Sequence, residues 1–337
     1  MYSAISDLQI KHEIDVQQAY EAFRDTQTKL AAYAGGMHWK RVGDADYLYR
    51  TKDRLGNAKS LGRRSMETEK IYTSFKFRKD ELQQRNEDLI HALDMQTAIA
   101  KALRIGTAPN IVGRICERLS QAGLMGKNIM VIGTHALHAY GALAGVRFHA
   151  EIAASEDVDL LWDPKSALSI AAHDLDDGGL LGLLKRVDSS FELLENQKFR
   201  AANKNGFMVD LIKQTPNPPW LVERNQLAGQ DDFVAVEIPN MNWMLSAPRI
   251  RQVVVAQNGK PFEMVVPDPR AFALFKLWLS TATERDPMKK TRDGRQAQAV
   301  IKLLEERLPQ YPLDVGMLQS FPQNVSKRLS LEKSTHR

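Results

Sequence analysis

The fold is decided by residues 128–162, which read NIMVIGTHALHAYGALAGVRFHAEIAASEDVDLLW. The first six residues, NIMVIG, form a short apolar run that is typical of a buried strand. Gly133-Thr134 follows this run, and the small and apolar residues after it predict a helix over 134–144. DVDLLW at the end of the stretch predicts a second strand. Strand, Gly-Thr junction, helix and strand in this order favour the α/β fold class.

The second predicted strand carries two carboxylates. Asp157 and Asp159 are two residues apart, so their side chains project from the same face of the strand, while Val158 and Leu160 face the core. Two ionised carboxylates at that distance repel each other unless a cation lies between them. Hard oxygen ligands suit Mg²⁺ or Mn²⁺, so this strand is a candidate metal-binding element.

A third carboxylate lies in a later apolar segment. FMVDLIK, residues 207–213, predicts another strand, in which Asp210 faces away from Val209 and Leu211. A carboxylate inside an apolar strand must be paired or liganded. If this strand neighbours the one that carries Asp157 and Asp159, the three carboxylates complete a clamp for two metal ions, as in-line phosphoryl or nucleotidyl transfer requires.

Gly133-Thr134 is the candidate phosphate-binding site. Glycine lets the backbone approach a ligand closely, and the free N–H groups at the start of the predicted helix favour an anion. The plainer interpretation is that Thr134 serves as the N-cap of that helix.

These segments resemble a known signature. VIGTHALHAYGALAG, EDVDLLW and FMVDLIK are similar to the signature of the polymerase-β-like nucleotidyltransferase superfamily, in which an apolar residue, Gly and Gly/Ser/Thr precede Asp-apolar-Asp and a later strand Asp. Residues 267–300, PDPRAFALFKLWLSTATERDPMKKTRDGRQAQAV, resemble the Lys…Arg…Lys-Asp helical pair of its bacterial members, including the abortive-infection type. MHWK, DYLYR and KSLGRRSMETEKIY are similar to an uncharacterised bacterial branch and imply no chemistry.

The resemblance implies a role for each carboxylate. Asp157 and Asp159 would bind two divalent metal ions, Mg²⁺ or Mn²⁺. Asp210 would help to bind the ion that activates an acceptor hydroxyl. On this basis the three residues are the expected catalytic residues.

The resemblance also implies a nucleotide site. Gly133 and Thr134 would hold the β- and γ-phosphates of a nucleoside triphosphate, and Lys276 would reach the triphosphate. Five further basic residues cluster around a helix start and form either a solvated charged loop or a contact for the nucleotide or a polyanionic acceptor: Arg285, Lys289, Lys290, Arg292 and Arg295. Within this cluster Asp293 either caps a helix over 293–308, which is the favoured interpretation, or orients one of these basic side chains.

Two features depart from the usual pattern. Twenty-two residues, His135 to Glu156, separate Thr134 from Asp157, which is longer than in the compact motif of the superfamily. Glu156 occupies a position where a small or hydroxyl residue is common. His135 and His138 lie in this longer segment, and a structural or solvent-facing role is favoured for both over phosphate contact. These departures bear on the shape of the nucleotide pocket.

The composition and charge of the chain exclude several classes of protein. The chain has 337 residues and one cysteine, Cys116, so a disulfide framework and a cysteine-based zinc cluster are excluded. The formal net charge of +5 permits a polyanionic partner without demanding one. The N-terminus has no apolar signal region, and no apolar stretch reaches the length of a membrane span, so we expect a cytoplasmic bacterial protein.

We expect three regions. Residues 1–125 form a helical domain, in which apolar spacing predicts helices over 5–34 and from about 66 to 103. It includes a basic, aromatic β-hairpin at about 37–62, whose aromatic residues either stack on unpaired bases or pack against the helices. Residues 126–215 form the nucleotidyltransferase core with a short mixed sheet, and a helical stretch at about 178–198 separates the strand of Asp157 and Asp159 from that of Asp210. Residues 216–337 form a strand- and helix-rich region that completes the nucleotide or acceptor site.

The expected function is metal-dependent transfer of a nucleoside monophosphate from a nucleoside triphosphate such as ATP to an acceptor hydroxyl, with release of pyrophosphate. The expected acceptor is RNA (tRNA included) or protein, and a small molecule is the further alternative. The alternative is a non-catalytic regulatory or antitoxin-like binding protein that retains the fold.

Overall fold

The computed structural model describes residues 1–51, 57–164, 178–218, 220, 223, 225–227, 231–319 and 321. The chain forms two compact units. The first, here called the core unit, contains Met1–Ile10 and Leu103–Arg337, and the second, the helical unit, contains Lys11–Ala102. The division predicted at residues 125 and 215 stays a prediction.

The amino-terminal elements precede the predicted core. In chain order they are β1 (Tyr2–Ala4), α1 (Asp7–Ala31), β2 (Gly36–Val42), β3 (Ala45–Thr51), β4 (Ala58–Arg63), α2 (Met66–Ala102) and α3 (Asn110–Gln121).

The remaining elements include the site. In chain order they are β5 (Ile129–Ile132), a 3₁₀ turn (Gly133–His135), α4 (Ala136–Ala144), β6 (Val146–Phe148), α5 (Ala150–Ala153), β7 (Asp157–Trp162), α6 (Gly179–Val187), β8 (Glu192–Leu194), β9 (Gln197–Ala202), β10 (Met208–Gln214), β11 (Val236–Ile238), α7 (Asn242–Leu245), β12 (Arg249–Val255), β13 (Pro261–Pro267), α8 (Pro269–Leu279), α9 (Pro287–Arg307) and α10 (Val315–Gln319).

The helical unit consists of two long helices and a small sheet. Its helices α1 and α2 confirm the predictions from apolar spacing. The segment predicted as a hairpin instead forms three antiparallel strands in the order β2-β3-β4. The third strand was missed because the residues of β4 are almost all exposed and show no apolar alternation.

The core unit is built on a six-stranded mixed sheet. Its strand order is β5-β7-β10-β9-β8, and β11 pairs with β10 beyond the end of β9. Strands β7 and β10 are parallel, whereas β5 and β9 run antiparallel to their neighbours. Helix α3, which contains the fully buried Cys116, belongs to the same hydrophobic core. The α/β fold class with a short mixed sheet is confirmed.

One element was predicted wrongly. Residues 178–198 were expected to be helical, but α6 ends at Val187 and an antiparallel pair, β8 and β9, follows. The buried residues Leu180, Leu184 and Val187 fit helical spacing, and the pattern was extended past its true end. This hairpin adds two strands at the edge of the sheet next to Asp210.

The carboxyl-terminal helices begin at proline. Asp268 caps α8 by accepting the N–H of Arg270 at 2.8 Å, and Pro269 occupies the first turn, where its missing N–H costs no helix hydrogen bond. Helix α9 begins at Pro287, six residues before the predicted start, with Asp286 as its N-cap. Among the helices that the structure describes, none is long and apolar enough to cross a membrane.

Candidate active site

The three carboxylates meet at one place on the sheet. Because β7 and β10 are parallel and in register, Asp159 and Asp210 lie directly opposite each other, and Asp157 lies two residues before Asp159 on the same face. Each residue offers a carboxylate oxygen that lies within 4.8 Å of the other two. Ser155 donates a hydrogen bond of 2.5 Å to Asp157 Oδ1. The sequence prediction placed these three side chains together, and the structure does so.

Burial and like charge disfavour the ionised form of Asp159 within the cluster. Burial and the neighbouring charge of Asp157 raise the pKa of Asp159 to about 7, and Asp210 acts in the same direction. Lys276 and Arg285 oppose this rise. Three oxygen donors that repel one another form a ligand set that fits a hard divalent cation.

Asp210 already has a cationic partner. Arg200 on β9 lies opposite Asp210 in the antiparallel register, and its Nε and Nη2 donate to Asp210 Oδ1 and Oδ2 at 2.7 and 2.6 Å. Asp210 is only 6% exposed, so this bidentate pair compensates a buried charge. The sequence analysis missed Arg200 because it lies just beyond a segment that was predicted to be helical. Its alternation with Phe199 and Ala201 would have signalled a strand.

Gly133 lies against the carboxylate cluster. Its φ of +66° is in the left-handed region, and a Cβ built there would be 2.0 Å from Asp159 Oδ2. Ile132, the residue before it, pairs with Asp159 across β5 and β7. The backbone at Gly133, which the sequence predicts to lie close to a phosphate, therefore also lies against the Asp159 carboxylate. Only glycine fits this position.

Thr134 does not cap the following helix. Residues 133–135 form the 3₁₀ turn, and α4 begins at Ala136 without a side-chain cap. The Thr134 hydroxyl is buried and accepts a hydrogen bond of 3.1 Å from Gln296 Nε2 on α9. The N-cap interpretation is therefore wrong, and Gln296, which the sequence analysis did not single out, holds the turn in place.

The long segment after Thr134 packs into the core. It forms α4, β6 and α5, and β6 pairs with β1 at the amino terminus. His135 and His138 are buried with their rings 5.6 Å apart, and His138 Nδ1 contacts Thr107 Oγ1 at 3.1 Å. Burial lowers the pKa of His135 to about 4 and that of His138 to about 3, so both are neutral at pH 7. The structural role favoured for this pair fits their burial.

Lys276 and Arg285 share one buried carboxylate. Lys276 Nζ donates to Asp293 Oδ1 at 2.7 Å, and Arg285 Nε donates to Asp293 Oδ2 at 2.8 Å. Asp293 is 2% exposed and lies inside α9, so it does not cap the helix, and its contact with Arg285 fits the alternative that it orients a basic side chain of the cluster. Both cations are close enough to lower the pKa of Asp159. Asp293 therefore fixes two positive charges beside the carboxylate cluster.

The rest of the basic cluster is more peripheral. Lys289 is exposed in the first turn of α9, where its backbone N–H donates to Asp286 Oδ1 at 3.1 Å. Arg292 donates to the carbonyl of Ala154. Arg295 is exposed. Of the five residues in the predicted cluster, Arg285 is the one that the structure places beside Lys276.

Removal of the shared carboxylate is expected to destabilise the protein. Asp293→Ala leaves the buried Lys276 ammonium without its partner, and the loss of one member of a buried ion pair costs about 3–5 kcal/mol in the free energy of unfolding. Asp293→Asn keeps one acceptor oxygen, so we expect a smaller loss. Urea unfolding measures both.

The matched control for this prediction is Lys302→Gln, which breaks an exposed pair with Glu306 on the same helix. It should change the free energy of unfolding by no more than about 0.5 kcal/mol. An equal loss in Asp293→Ala and Lys302→Gln would contradict the assigned role of Asp293.

Fold and site together define an α/β protein whose mixed sheet carries a cluster of three carboxylates that could hold a metal ion. A family model described as nucleotidyltransferase matches residues 110–320, which is more than half of the chain. The chain therefore belongs to the nucleotidyltransferase family, and the resemblance seen in the sequence is confirmed. The matched residues include the three carboxylates, Gly133 and the Lys276–Asp293 pair. No curated protein and no solved structure gave a significant match.

Proposed function

We propose that this chain transfers a nucleoside monophosphate from a nucleoside triphosphate to an acceptor hydroxyl and releases pyrophosphate. The observation that carries the proposal is the convergence of Asp157, Asp159 and Asp210 within 4.8 Å, in a chain of the nucleotidyltransferase family. We assign to these carboxylates two Mg²⁺ or Mn²⁺ ions.

The reaction forms one bond and breaks one. The acceptor oxygen attacks the α-phosphorus, the bond from that phosphorus to the α,β-bridging oxygen breaks, and the hydroxyl proton is released. Asp157, Asp159 and Asp210 would hold the divalent cations, which would neutralise charge and lower the pKa of the acceptor hydroxyl. The negative charge that develops on the leaving pyrophosphate is the charge that fixed cations stabilise best.

This chain supplies such cations from α8 and the loop before α9. Asp293 holds Lys276 Nζ and the Arg285 guanidinium in fixed positions, so little reorganisation is needed as charge develops on the leaving group. The 3₁₀ turn at Gly133–His135 begins at the glycine that lies against Asp159. We assign the triphosphate to the space between this turn and Lys276.

The proposal is tested by a transfer assay with each α-³²P-labelled nucleoside triphosphate in Mg²⁺ or Mn²⁺. Total RNA, cell protein and the enzyme alone are offered as acceptors, and the Asp157→Ala/Asp159→Ala variant serves as the control. We expect label in one fraction with the wild type and none with the variant. Absence of label from every fraction, or equal labelling by the variant, would overturn the proposal.

One observation favours the non-catalytic alternative. Both oxygens of Asp210 are bonded to Arg200, so a cation must share or displace that partner. A regulatory protein that retains the fold has no need to replace Arg200 by a metal ion at Asp210, whereas a metal-dependent enzyme does. The competition between Arg200 and a metal ion for Asp210 can be measured directly.

Arg200→Gln is expected to make the protein more responsive to metal. Without Arg200 the buried Asp210 carboxylate has lost its bidentate partner, so the melting temperature of the metal-free variant should fall below that of the wild type. Mn²⁺ should then raise the melting temperature of the variant more than that of the wild type, because no side chain competes for Asp210.

Lys198→Gln is the control, since it removes an exposed positive charge from the same strand. It should respond to Mn²⁺ as the wild type does. If Mn²⁺ shifts Arg200→Gln and the wild type equally, Asp210 is not a metal ligand.

A further inference from the structure

The positive charge of the chain is concentrated in the small sheet of the helical unit. Residues 36–64 contain eight Lys and Arg and three Asp, an excess of five, which equals the formal net charge of +5 for the whole chain. The other residues are balanced. Three of these charged residues, Lys52, Asp53 and Arg54, lie outside the described residues, and the described ones still include six basic and two acidic side chains. Such a local excess is typical of a surface that binds a polyanion.

The register of the sheet sorts aromatic and basic residues onto one face. His38 lies opposite Tyr49 and Lys40 lies opposite Tyr47, while Tyr47 lies opposite Arg63 on the other side. Because directly opposed residues point to the same side of a sheet, these five side chains share a face. We call it the aromatic face. His38, Lys40 and Arg63 are exposed, and the two tyrosines are half-buried.

The opposite face of the sheet is the one that packs. Leu48 is fully buried, the Trp39 ring lies 5.9 Å from that of Tyr72 on α2, and the Arg50 guanidinium lies 4.5 Å from the Phe75 ring. The sheet therefore buries its apolar side chains on this face. The aromatic residues on the other side are not needed for packing against α2.

Acidic residues are segregated from the aromatic face. Asp46 lies opposite Arg41 on the packed face, where it pairs with Arg41 and Arg64 at 3.7 and 3.6 Å. Among the described strand residues of the aromatic face none is acidic. A polyanion that approaches this face meets cations without opposing carboxylates.

The rings and cations are interleaved. The His38 and Tyr49 rings are 6.1 Å apart and nearly parallel at 18°, and Lys40 Nζ lies 5.8 Å from the centre of the Tyr49 ring. Aromatic rings with cations between them suit the alternating bases and phosphates of a single-stranded nucleic acid, whose bases stack on the rings and whose phosphates contact the cations. Val42, two residues after Lys40 on the same face, is also exposed, but the excess of basic residues in this segment favours a polyanion over an apolar partner surface.

We propose that the aromatic face binds single-stranded RNA. Tyr47, Tyr49 and His38 stack with unpaired bases, and Lys40 and Arg63 contact phosphates. We choose RNA because unpaired bases are the form in which proteins recognise RNA. That the bound RNA is also the acceptor of the nucleotide rests on the function proposed above. The binding of RNA to the aromatic face does not depend on that function.

The test is fluorescence anisotropy of a labelled 12-nucleotide single-stranded RNA with the full chain, without nucleotide or metal. We expect Tyr47→Ala/Tyr49→Ala to raise Kd by about 10-fold or more, and Tyr47→Phe/Tyr49→Phe to keep the wild-type Kd because the rings remain. Lys40→Gln/Arg63→Gln should weaken binding and reduce the slope of log K against log salt by about 1.4, which is about 0.7 for each phosphate contact.

Matched controls lie on α2. Phe77→Ala removes an aromatic ring that is 71% exposed, and Lys70→Gln/Lys76→Gln removes two exposed charges. Both should bind as the wild type does. Circular dichroism confirms that each variant is folded.

Three results would overturn the proposal: no binding of RNA by the wild type, equal binding by the Tyr47→Ala/Tyr49→Ala variant, or equal or tighter binding of DNA of the same sequence. The Asp157→Ala/Asp159→Ala variant separates this proposal from the proposed catalysis. If this variant and the wild type both bind RNA and neither transfers label, RNA binding by the aromatic face is supported and the proposed catalytic function is wrong.

Discussion

Asp159→Asn is expected to lower the rate of nucleotidyl transfer by about 10³-fold or more. Asp159 lies between Asp157 and Asp210 in the carboxylate cluster, so its loss removes a ligand from the centre of the proposed metal site. Stabilisation by bound metal ions is worth several kcal/mol in the transition state, and each 1.4 kcal/mol is about tenfold in rate. The rate of pyrophosphate release in Mg²⁺ or Mn²⁺ measures the loss.

The same substitution should stabilise the metal-free protein. The pKa of Asp159 is raised to about 7 in the folded chain from 3.8, so its ionisation costs stability as the pH rises from about 4 to 7 and at every higher pH. Asparagine removes that cost. The melting temperature of Asp159→Asn without metal at pH 8 should therefore exceed that of the wild type, and Mn²⁺ should no longer raise it as far.

The matched control is Glu156→Gln, which neutralises an exposed carboxylate next to Asp157. It should leave transfer and the Mn²⁺ response unchanged. If Asp159→Asn retained wild-type turnover, the carboxylate cluster would not be the catalytic centre.

Gly133→Ala is expected to abolish detectable transfer and to lower stability. Alanine at φ +66° is strained, and its Cβ would lie 2.0 Å from Asp159 Oδ2, so either the turn or the carboxylate must move. A displacement of about 1 Å at a reacting centre costs about 10²-fold in rate, and loss of the metal ligand adds to it. Transfer rate and urea unfolding are measured on the same preparation.

Gly123→Ala isolates the backbone contribution. Gly123 has the same φ of +66°, but a Cβ built there meets nothing within 4 Å. It should lose about 1 kcal/mol of stability and keep its activity. If the two variants lost activity equally, strain in the backbone and not the contact with Asp159 would explain the effect of Gly133→Ala.

The parts of the site that follow strand periodicity could be predicted from the sequence. The two-residue spacing of Asp157 and Asp159, and the apolar neighbours of Asp210, determine the face on which each carboxylate lies. Gly133 was found because it ends an apolar run just before small residues. In each case local sequence carries the information.

The partners of these residues could not be predicted in the same way. Arg200, Gln296 and Asp293 act through contacts with residues that are 10, 162 and 17 positions away. Such contacts depend on strand register and helix packing, which local periodicity does not encode. An Asp after a run of basic residues looks like a helix cap, and only the true start of α9 at Pro287 shows that Asp293 is buried inside the helix.

The most direct test of the central claim compares the fate of two labels. The protein is incubated with a nucleoside triphosphate labelled at the α- or at the γ-phosphate, with Mn²⁺ and the acceptor fraction. Nucleotidyl transfer through the carboxylate cluster predicts that the α-label enters the acceptor and that the γ-label leaves as pyrophosphate, in the wild type and not in Asp159→Asn. Label from the γ-phosphate in the acceptor, or the same labelling by Asp159→Asn, would contradict the account.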